Sequence, residues 1–416
     1  MTFAQQISLI VCCTCASAVA TDETPVTNIV VDSSTLTGKV MCGYQGWFNC
    51  EGDGAGLGWT HWARNRNRPF GPGNVTVDLW PDVSELSADE RYATEFSHAD
   101  GTMAEVFSSG NRKTVLRHFQ WMRDYGIDGA FVQRFANGLK DPISLRHKNN
   151  VLSDAREGAA KYGRVLAVMY DLSGLRAGQV ERVRSDWAML QTQMKLASDP
   201  AYLHHDDGPV VAVWGIGFTD NRRYSLGECF ELVKWLKSEG CRVMLGVPSF
   251  WRDGKRDATD DVTLHAILKH ADIVSPWSVG RYRTPVEATR HAAGVWQPDR
   301  VWCARHGLSF LPVVYPGFSW HNLTGGSIDD IPRLKGRFLW SQAVGAKRAG
   351  CDMIYVAMFD EVDEATAIFK CTNHPPVGQG AEFLTYEGLP SDYYLKLVGH
   401  AGRMLRGEAP ISDQLP

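Results

Sequence analysis

The chain has 416 residues, 44% of them hydrophobic and 22% charged, with a formal net charge of −4 at pH 7. That make-up belongs to a folded globular protein with material for a large core, and it excludes a disordered or collagen-like chain. With no sustained basic run there is no general attraction for nucleic acid or an anionic membrane surface, so no nucleic-acid partner is expected.

Residues Ile7 to Ala20 form an apolar segment that ends Ala18-Val19-Ala20 and is followed by the polar Thr21-Asp22-Glu23-Thr24-Pro25. This reads as a signal peptide over 1–20 with a small-residue cleavage site, although no Lys or Arg precedes the apolar part. The segment is too short to span a bilayer, and no later apolar run approaches its length. The mature chain is therefore expected to be exported, periplasmic or secreted, with no integral membrane segment. Residues 21–37 read as a linker and 38–410 as one catalytic domain. Cys12, Cys13 and Cys15 leave with the signal, and the seven remaining cysteines are an odd number that excludes complete intramolecular pairing. Cys42 and Cys50 either pair or stay free, while Cys241 and Cys351 fit buried strand beginnings.

From Lys39 onward, short apolar or β-branched runs alternate with helical patterns. Strands are expected at Val40 to Tyr44, Gly129 to Arg134, Val165 to Asp171, Pro209 to Trp214, Arg242 to Val247, Asp272 to Ser275, Leu311 to Tyr315 and Met353 to Phe359. Helices are expected at Lys113 to Tyr125, Leu152 to Tyr162, Gln179 to Ala197, Ser225 to Glu239, Asp261 to His270, Pro285 to Gly307, Leu334 to Ala349 and Ser391 to Arg406. After the first, strand starts recur every roughly 30 to 45 residues, the length of a β-strand with its crossover helix. Eight such steps are the arithmetic of an α/β fold, a single (β/α)8 barrel of the TIM type. An open doubly wound sheet is the alternative, but no glycine-rich phosphate turn follows any strand, and no cofactor is expected. The 68 residues between Tyr44 and Lys113 break the rhythm. They predict a long first β/α loop, rich in Gly, Asn, Pro and Trp, that is ordered rather than a second domain.

The most informative segment is Met353-Ile354-Tyr355-Val356-Ala357-Met358-Phe359-Asp360-Glu361-Val362-Asp363-Glu364, where a buried strand delivers four carboxylates within five residues. If a helical turn starts just after the strand, Glu361 and Glu364 share its face and can divide acid and base roles. The alternative is that these acids cap a helix and complement its dipole. Neighbouring negative charge from Asp360 and Asp363 is expected to raise a glutamate pKa.

Residues just past the strands of such a barrel converge on one pocket. Here they are Tyr44, Gln45 and Trp47; Gln133 and Arg134; Tyr170 and Asp171; Trp214; Trp251; Trp277; Tyr315, Trp320 and His321; then Asp360, Glu361 and Glu364. Five of the fourteen tryptophans stand at these ends and three more, Trp59, Trp62 and Trp80, in the first loop. Flat aromatic faces with amide, guanidinium and carboxylate groups suit a carbohydrate substrate, although aromatics also cap a barrel's apolar interior. Arg134 and Asp171 either position substrate or pair at the rim, and His321 is either a sugar hydroxyl partner or an ordinary loop residue. No metal is expected: His118, His204, His205 and His321 have no zinc-binding spacing, and His204-His205-Asp206-Asp207 reads as a solvated turn.

Phe359-Asp360-Glu361-Val362-Asp363-Glu364-Ala365-Thr366 resembles the F-N-E-W-H-E-G-T signature on the last strand of glycoside hydrolase family 99, the endo-α-mannosidases and mannanases, and of its α-1,3-glucanase relatives in family 71. Gly43-Tyr44-Gln45-Gly46-Trp47-Phe48 and Phe131-Val132-Gln133-Arg134-Phe135 are similar to strands of the wider 71/99-like branch, which includes proteins labelled xylosidase/arabinosidase. The resemblance implies that Glu361 is the base toward the sugar 2-hydroxyl and Glu364 the acid/base at the leaving oxygen. It further implies retention through a 1,2-anhydro sugar. Asp360, Val362, Asp363 and Ala365 replace Asn, Trp, His and Gly of the signature, so the side chains that would read an axial mannose hydroxyl are not carried over. The function expected is an exported glycoside hydrolase acting on a glycan or oligosaccharide. The alternatives are a non-catalytic carbohydrate-binding barrel and a barrel enzyme of other chemistry, a lyase or metal-dependent hydrolase.

Overall fold

The structure, a computed structural model, describes residues 30–378 and 380–416. The signal segment read over 1–20 lies outside the described residues. Nine strands make one parallel sheet: β1 Val40–Tyr44, β2 Gly129–Phe135, β3 Val165–Asp171, β4 Gly208–Trp214, β5 Arg242–Pro248, β6 Ile273–Trp277, β7 Ser309–Phe310, β8 Val313–Val314 and β9 Ile354–Val356. Most of their residues are buried, as expected where helices cover one face and the barrel interior the other.

Eight strand positions close the ring, because β7 and β8 are two halves of the strand expected over Leu311 to Tyr315. β7 pairs with β6, and β8 pairs with β9. Between them the Leu311 amide donates to Val274 O at 2.9 Å, and Tyr355 N donates to Pro312 O at 3.0 Å. Pro312 has no N–H of its own, which splits the ladder at that point. β1 pairs in parallel with both β9 (Val40 beside Ile354) and β2 (Met41 beside Gly129), so the first and last strands are neighbours as expected.

The helices that follow the strands are α1 Arg112–Asp124, α2 Pro142–Tyr162, α3 Glu181–Met194, α4 Leu226–Ser238, α5 Thr263–Leu268, α6 Pro285–His291, α7 Gln297–Arg305, α8 Arg337–Arg348 and α9 Tyr393–Leu405. α2 begins ten residues before the expected Leu152, because Asp141 caps it through Ser144 N and Pro142 occupies its first turn. The single helix expected over Pro285 to Gly307 is broken by a wide-turn stretch at Ala292–Trp296, where Pro298 removes an N–H from the helical ladder. Among the described residues no helix is long and apolar enough to cross a membrane.

The first loop is ordered and has its own aromatic core. Trp62 packs on Phe48, Phe70 and Phe107, and Trp80 stacks on Phe70 at 5.5 Å. Trp59, Trp62 and Trp80 are buried there rather than offered to a ligand, which corrects the expectation drawn from their number. Residues 30–37, read as a linker, lie against the barrel: Val31 N donates to Gly163 O, His204 N donates to Ser33 O, and Leu36 is buried. The expected solvated turn at His204 to Asp207 is only partly so, since His204–His205 pair with Gly208 and Pro209, and His205 is buried. The seven described cysteines are free and buried.

Strand alternation sends neighbouring residues to opposite faces. Gly43 faces the interior, where an added Cβ would fall 2.1 Å from the Tyr355 hydroxyl and 2.3 Å from Met358 Sδ. Arg134 and Tyr170, side by side on β2 and β3, face the helices and converge on Asp186 of α3. Arg134 Nε and the Tyr170 hydroxyl each donate to Asp186 Oδ2 at 2.8 Å, and all three side chains are buried. Removing one partner of such a pair leaves an uncompensated buried charge. Asp186→Ala is therefore expected to lower stability by about 3–5 kcal/mol in denaturant unfolding.

Candidate active site

β9 ends at Val356, and the acidic stretch follows as a turn over residues 362–365 rather than a helix. The amides of Thr366 and Ala367 close onto Glu361 O at 3.1 and 2.9 Å, and Ala365 takes the left-handed region at φ 52°. A turn, not helical spacing, thus carries Glu361 and Glu364 into one cavity, which corrects the expected helical face. Three neighbours pin it. The Asp78 and Leu79 amides of the first loop donate to Val362 O at 2.9 and 3.3 Å, and Ser319 N donates to Glu364 O at 3.0 Å. Buried Arg333 donates through Nη2 to both Ala365 O and Ala367 O at 2.7 Å.

A cavity of about 530 Å³ opens at the C-terminal end of the barrel. Of the residues expected there, Gln45, Trp47, Gln133, Asp171, Trp214, Trp277, Trp320, Glu361 and Glu364 line it. Gly246 makes room for one of its walls, since a Cβ there would fall 2.3 Å from the Trp214 ring. The sequence reading missed Phe135, Met169, Ser173, Phe218, Asp220, Arg222, Arg281, Phe318 and Met358. Phe135 and Met169 were recoverable, standing two residues from Gln133 and Asp171 on the same strand faces. Phe218, Arg222 and Arg281 lie in irregular loops with no period to reveal them.

Seven expected residues lie elsewhere. Arg134 and Tyr170 face α3, as described. The Tyr44 hydroxyl meets His118 Nδ1 of α1 at 2.9 Å, because Gly43 holds the inward position beside it. Burial lowers the His118 pKa to about 3, which fits a neutral ring there. Tyr315 lies against α8, where its amide donates to Gln342 Oε1 at 3.0 Å and its ring meets Phe338. Trp251 is carried outward by the turn after Pro248 and packs edge-on to Trp302 of α7 at 4.9 Å. The His321 ring meets Gly326 O at 2.8 Å, and its amide donates to Asp78 Oδ2 at 2.7 Å. Asp360 is fully buried and accepts the amides of Gln45 and Gly46 at 2.8 and 2.9 Å, fixing the chain that leaves β1. Burial pushes its pKa up to about 7 despite those donors.

Glu361 is 3% exposed, and its two oxygens are held by Gln45 Nε2 at 2.6 Å and the Thr366 hydroxyl at 2.9 Å. Burial foremost, then the charges of Glu364 and Asp363, holds its carboxyl well above the ordinary glutamate range, against those two hydrogen bonds. Glu364 is half-buried and also raised, by desolvation first and Asp363 second, while the Trp320 indole N–H opposes the shift. The expected influence of Asp363 is present, whereas Asp360, engaged beneath β1, is not among the leading causes of either shift. Asp363 Oδ2 meets His61 Nδ1 at 3.0 Å, and the His61 ring stacks on Trp47 at 3.7 Å, so the first loop reaches the acids through one histidine.

Three buried polar atoms on cavity side chains have no protein partner: Gln45 Oε1, Trp47 Nε1 and Trp214 Nε1. Buried polar atoms in folded proteins are normally satisfied, so unpaired ones in a cavity suit a ligand with hydroxyl groups. Among the described residues no three His, Cys, Asp or Glu side chains gather as a metal ion requires.

No protein-family model matches the chain, and no curated protein matches it. Among solved structures, the GH99 endo-alpha-mannosidase from Bacteroides thetaiotaomicron superposes with a TM-score of 0.63 at 16% identity, over 90% of this chain and 99% of that one. The same enzyme in complex with bis-tris-propane gives a TM-score of 0.61 at 15% identity over the same shares. The chain therefore has a GH99-like (β/α)8 fold, as the resemblance of its last strand implied.

The raised carboxyls carry a pH signature. A glutamate that must donate a proton loses activity as pH rises through its pKa, so kcat/KM should have its alkaline limb above about pH 5, beyond the ordinary glutamate value. Asp363→Asn removes a negative neighbour, stabilises the ionised glutamates and lowers their pKa values. The limb should accordingly move to lower pH in a pH–rate profile, and an unmoved limb would show that Asp363 has no part in it.

Proposed function

We propose that this chain is an exported glycoside hydrolase that cleaves a glycan or oligosaccharide using Glu361 and Glu364. The observation that carries the reading is one cavity holding two glutamates of raised pKa, faced by tryptophan rings and by buried donors and an acceptor left unpaired. Aromatic faces take the C–H faces of sugar rings and the unpaired polar atoms take hydroxyls. The fold shared with a solved glycosidase supports the reading, and the apolar segment ending at Ala20 supports export. Mannoside specificity is not carried over, since Val362 and Asp363 replace the residues that would read mannose in the resemblance.

In the mechanism proposed, Glu361 takes the proton of the 2-hydroxyl as that oxygen attacks the anomeric carbon, and Glu364 donates a proton to the departing oxygen. Water then opens the 1,2-anhydro sugar, with Glu364 accepting its proton and Glu361 returning one to the 2-oxygen, so configuration is retained overall. Gln45 and Thr366 each donate to one oxygen of Glu361 and favour the ionised form that the first role requires, against the burial and neighbouring charge that raise its pKa. Glu364, partly exposed in the cavity, is placed to reach a leaving group. Asp171 lines the same cavity and offers a second reading, in which it is a nucleophile of the ordinary retaining scheme.

Screening purified protein against a glycan panel, with products read by mass, tests the activity. Glu361→Gln and Glu364→Gln should each lower kcat by about 10²-fold or more, since each removes a proton-transfer role. With an activated leaving group, Glu364→Gln should recover much of its first step while Glu361→Gln stays impaired. A 2-deoxy substrate cleaved at the normal rate, together with loss of activity in Asp171→Asn, would transfer the nucleophile to Asp171. Binding that survives both glutamine variants with no turnover by the native chain would leave a carbohydrate-binding barrel instead.

A further inference from the structure

The cavity has a second charged wall that the proposed chemistry does not use. Glu361 and Glu364 follow β9, whereas β4 leads into Phe218, Asp220 and Arg222, and β6 leads into Arg281, all lining the same cavity. In the closed ring β4 stands four strand positions from β9 in either direction, so the loop after β4 faces the acids across the barrel mouth. Arg222 thus lies opposite the acids, while Arg281, after β6 and two strand positions from β9, lies a quarter of the ring from them.

That wall is built rather than incidental. The Arg222 guanidinium lies 5.0 Å from the Trp214 ring centre and 5.2 Å from that of Phe218. It forks onto Asp220 at 2.7 and 2.8 Å and donates to the Ser173 hydroxyl at 3.0 Å and the Tyr224 hydroxyl at 3.3 Å. Phe218 bridges to Ala258, which brings in the neighbouring Asp257. Asp257 accepts the amides of Ser249 and Phe250 at 3.1 and 3.2 Å and the Nε of Arg281 at 2.6 Å, so its oxygens are occupied. Arg281 differs from Arg222 in what it has left over. Among the described residues its guanidinium hydrogen-bonds through Nε alone, and its side chain is 32% exposed. A guanidinium with both Nη groups open is the side chain best matched to the paired oxygens of a carboxylate or sulfate. The wall also behaves as a positive region toward its own residues: His291, bonded to Ser249, has a pKa lowered to about 4, by burial first and then by Arg256 and Arg281.

We infer that this wall is a subsite for an anionic sugar residue, the carboxylate of a uronic acid or a sulfate ester, gripped by Arg281 with Arg222 beside it. The inference rests on the proposed function only in taking the ligand to be a glycan. An anion drawn to these guanidinium groups would be repelled by ionised Glu361 and Glu364, so the charge would fix which part of the glycan lies at the acids.

Binding, which needs no turnover, provides the test. Glucuronate, galacturonate and mannuronate would each be titrated calorimetrically beside the corresponding neutral sugar and its 6-sulfate. At least one anion should bind about tenfold more tightly than its neutral counterpart, as a charge-assisted hydrogen-bond pair allows. Carboxylate and sulfate arms tell the two sources apart. Arg281→Gln should remove most of that ratio. In the native protein, raising salt from about 0.05 to about 0.5 M should shrink it, so the expectation stands even if the variant fails to fold. No preference for any anion over its neutral sugar, or a preference indifferent to both salt and Arg281→Gln, overturns the subsite. If the anion preference holds while the glycan panel yields no cleavage, the hydrolase reading falls and the subsite remains; cleavage of neutral glycans without the preference has the opposite meaning.

Discussion

Side-chain alternation along a β-strand, imposed on a closed ring, decides almost everything about this site. Each strand end delivers one residue to the cavity and the next to the helical layer, with no intermediate choice. Gln133 and Asp171 reach the cavity because Arg134 and Tyr170 do not. The outward pair is no less important to the molecule, since it meets Asp186 of α3 and ties β2, β3 and that helix together. The inward face admits bulk only where a neighbour gives way, which is why Gly43 stands beside Tyr355 and Gly246 beside Trp214.

Strands alone do not position the acids. Beyond Val356 there is no ladder, and the turn carrying Glu361 and Glu364 is held through its carbonyls. Asp78 and Leu79 reach it from the first loop, Ser319 from the loop after β8, and Arg333 from just before α8. Asp78 serves twice, since its side chain also accepts the amides of His321 and Asn322. The long first loop therefore acts as a brace: its tryptophans build a core that keeps Asp78 and His61 in place. Backbone hydrogen bonds from several elements make a turn as rigid as a strand end, and proton transfer depends on that rigidity.

Four carboxylates in so small a buried space would repel one another strongly if all were ionised. The fold gives each a different neighbour. Asp360 turns toward backbone amides, Glu361 toward Gln45 and Thr366, Asp363 toward His61, and Glu364 toward Trp320. Only the two glutamates are left facing the cavity, and both are pushed toward the protonated form. Arg222 stands across the mouth and Arg281 a quarter of the ring from the acids, with aromatic rings between them.

The order of elements was legible in the sequence because each depends on local pattern: apolar runs of strand length, helical periods between them, and a spacing that fits one crossover per step. Val40 beside Ile354 follows from counting eight positions. The acidic stretch was legible as well, since four carboxylates after an apolar strand have few structural uses. Tyr44, Arg134 and Tyr170 stand inside strands and were misplaced by the alternation itself, whereas Trp251, Tyr315 and His321 were misplaced because a single sequence does not say where a strand stops and its alternation is lost. Arg222, Arg281 and the pairing of His61 with Asp363 were out of reach, since loops without a period bring together residues far apart in the chain. Sequence alone therefore determined which strands exist and which of them ends in acids. Tertiary structure decided which side chains share the cavity, because direction in a barrel is set by register and closure, and both depend on every strand at once.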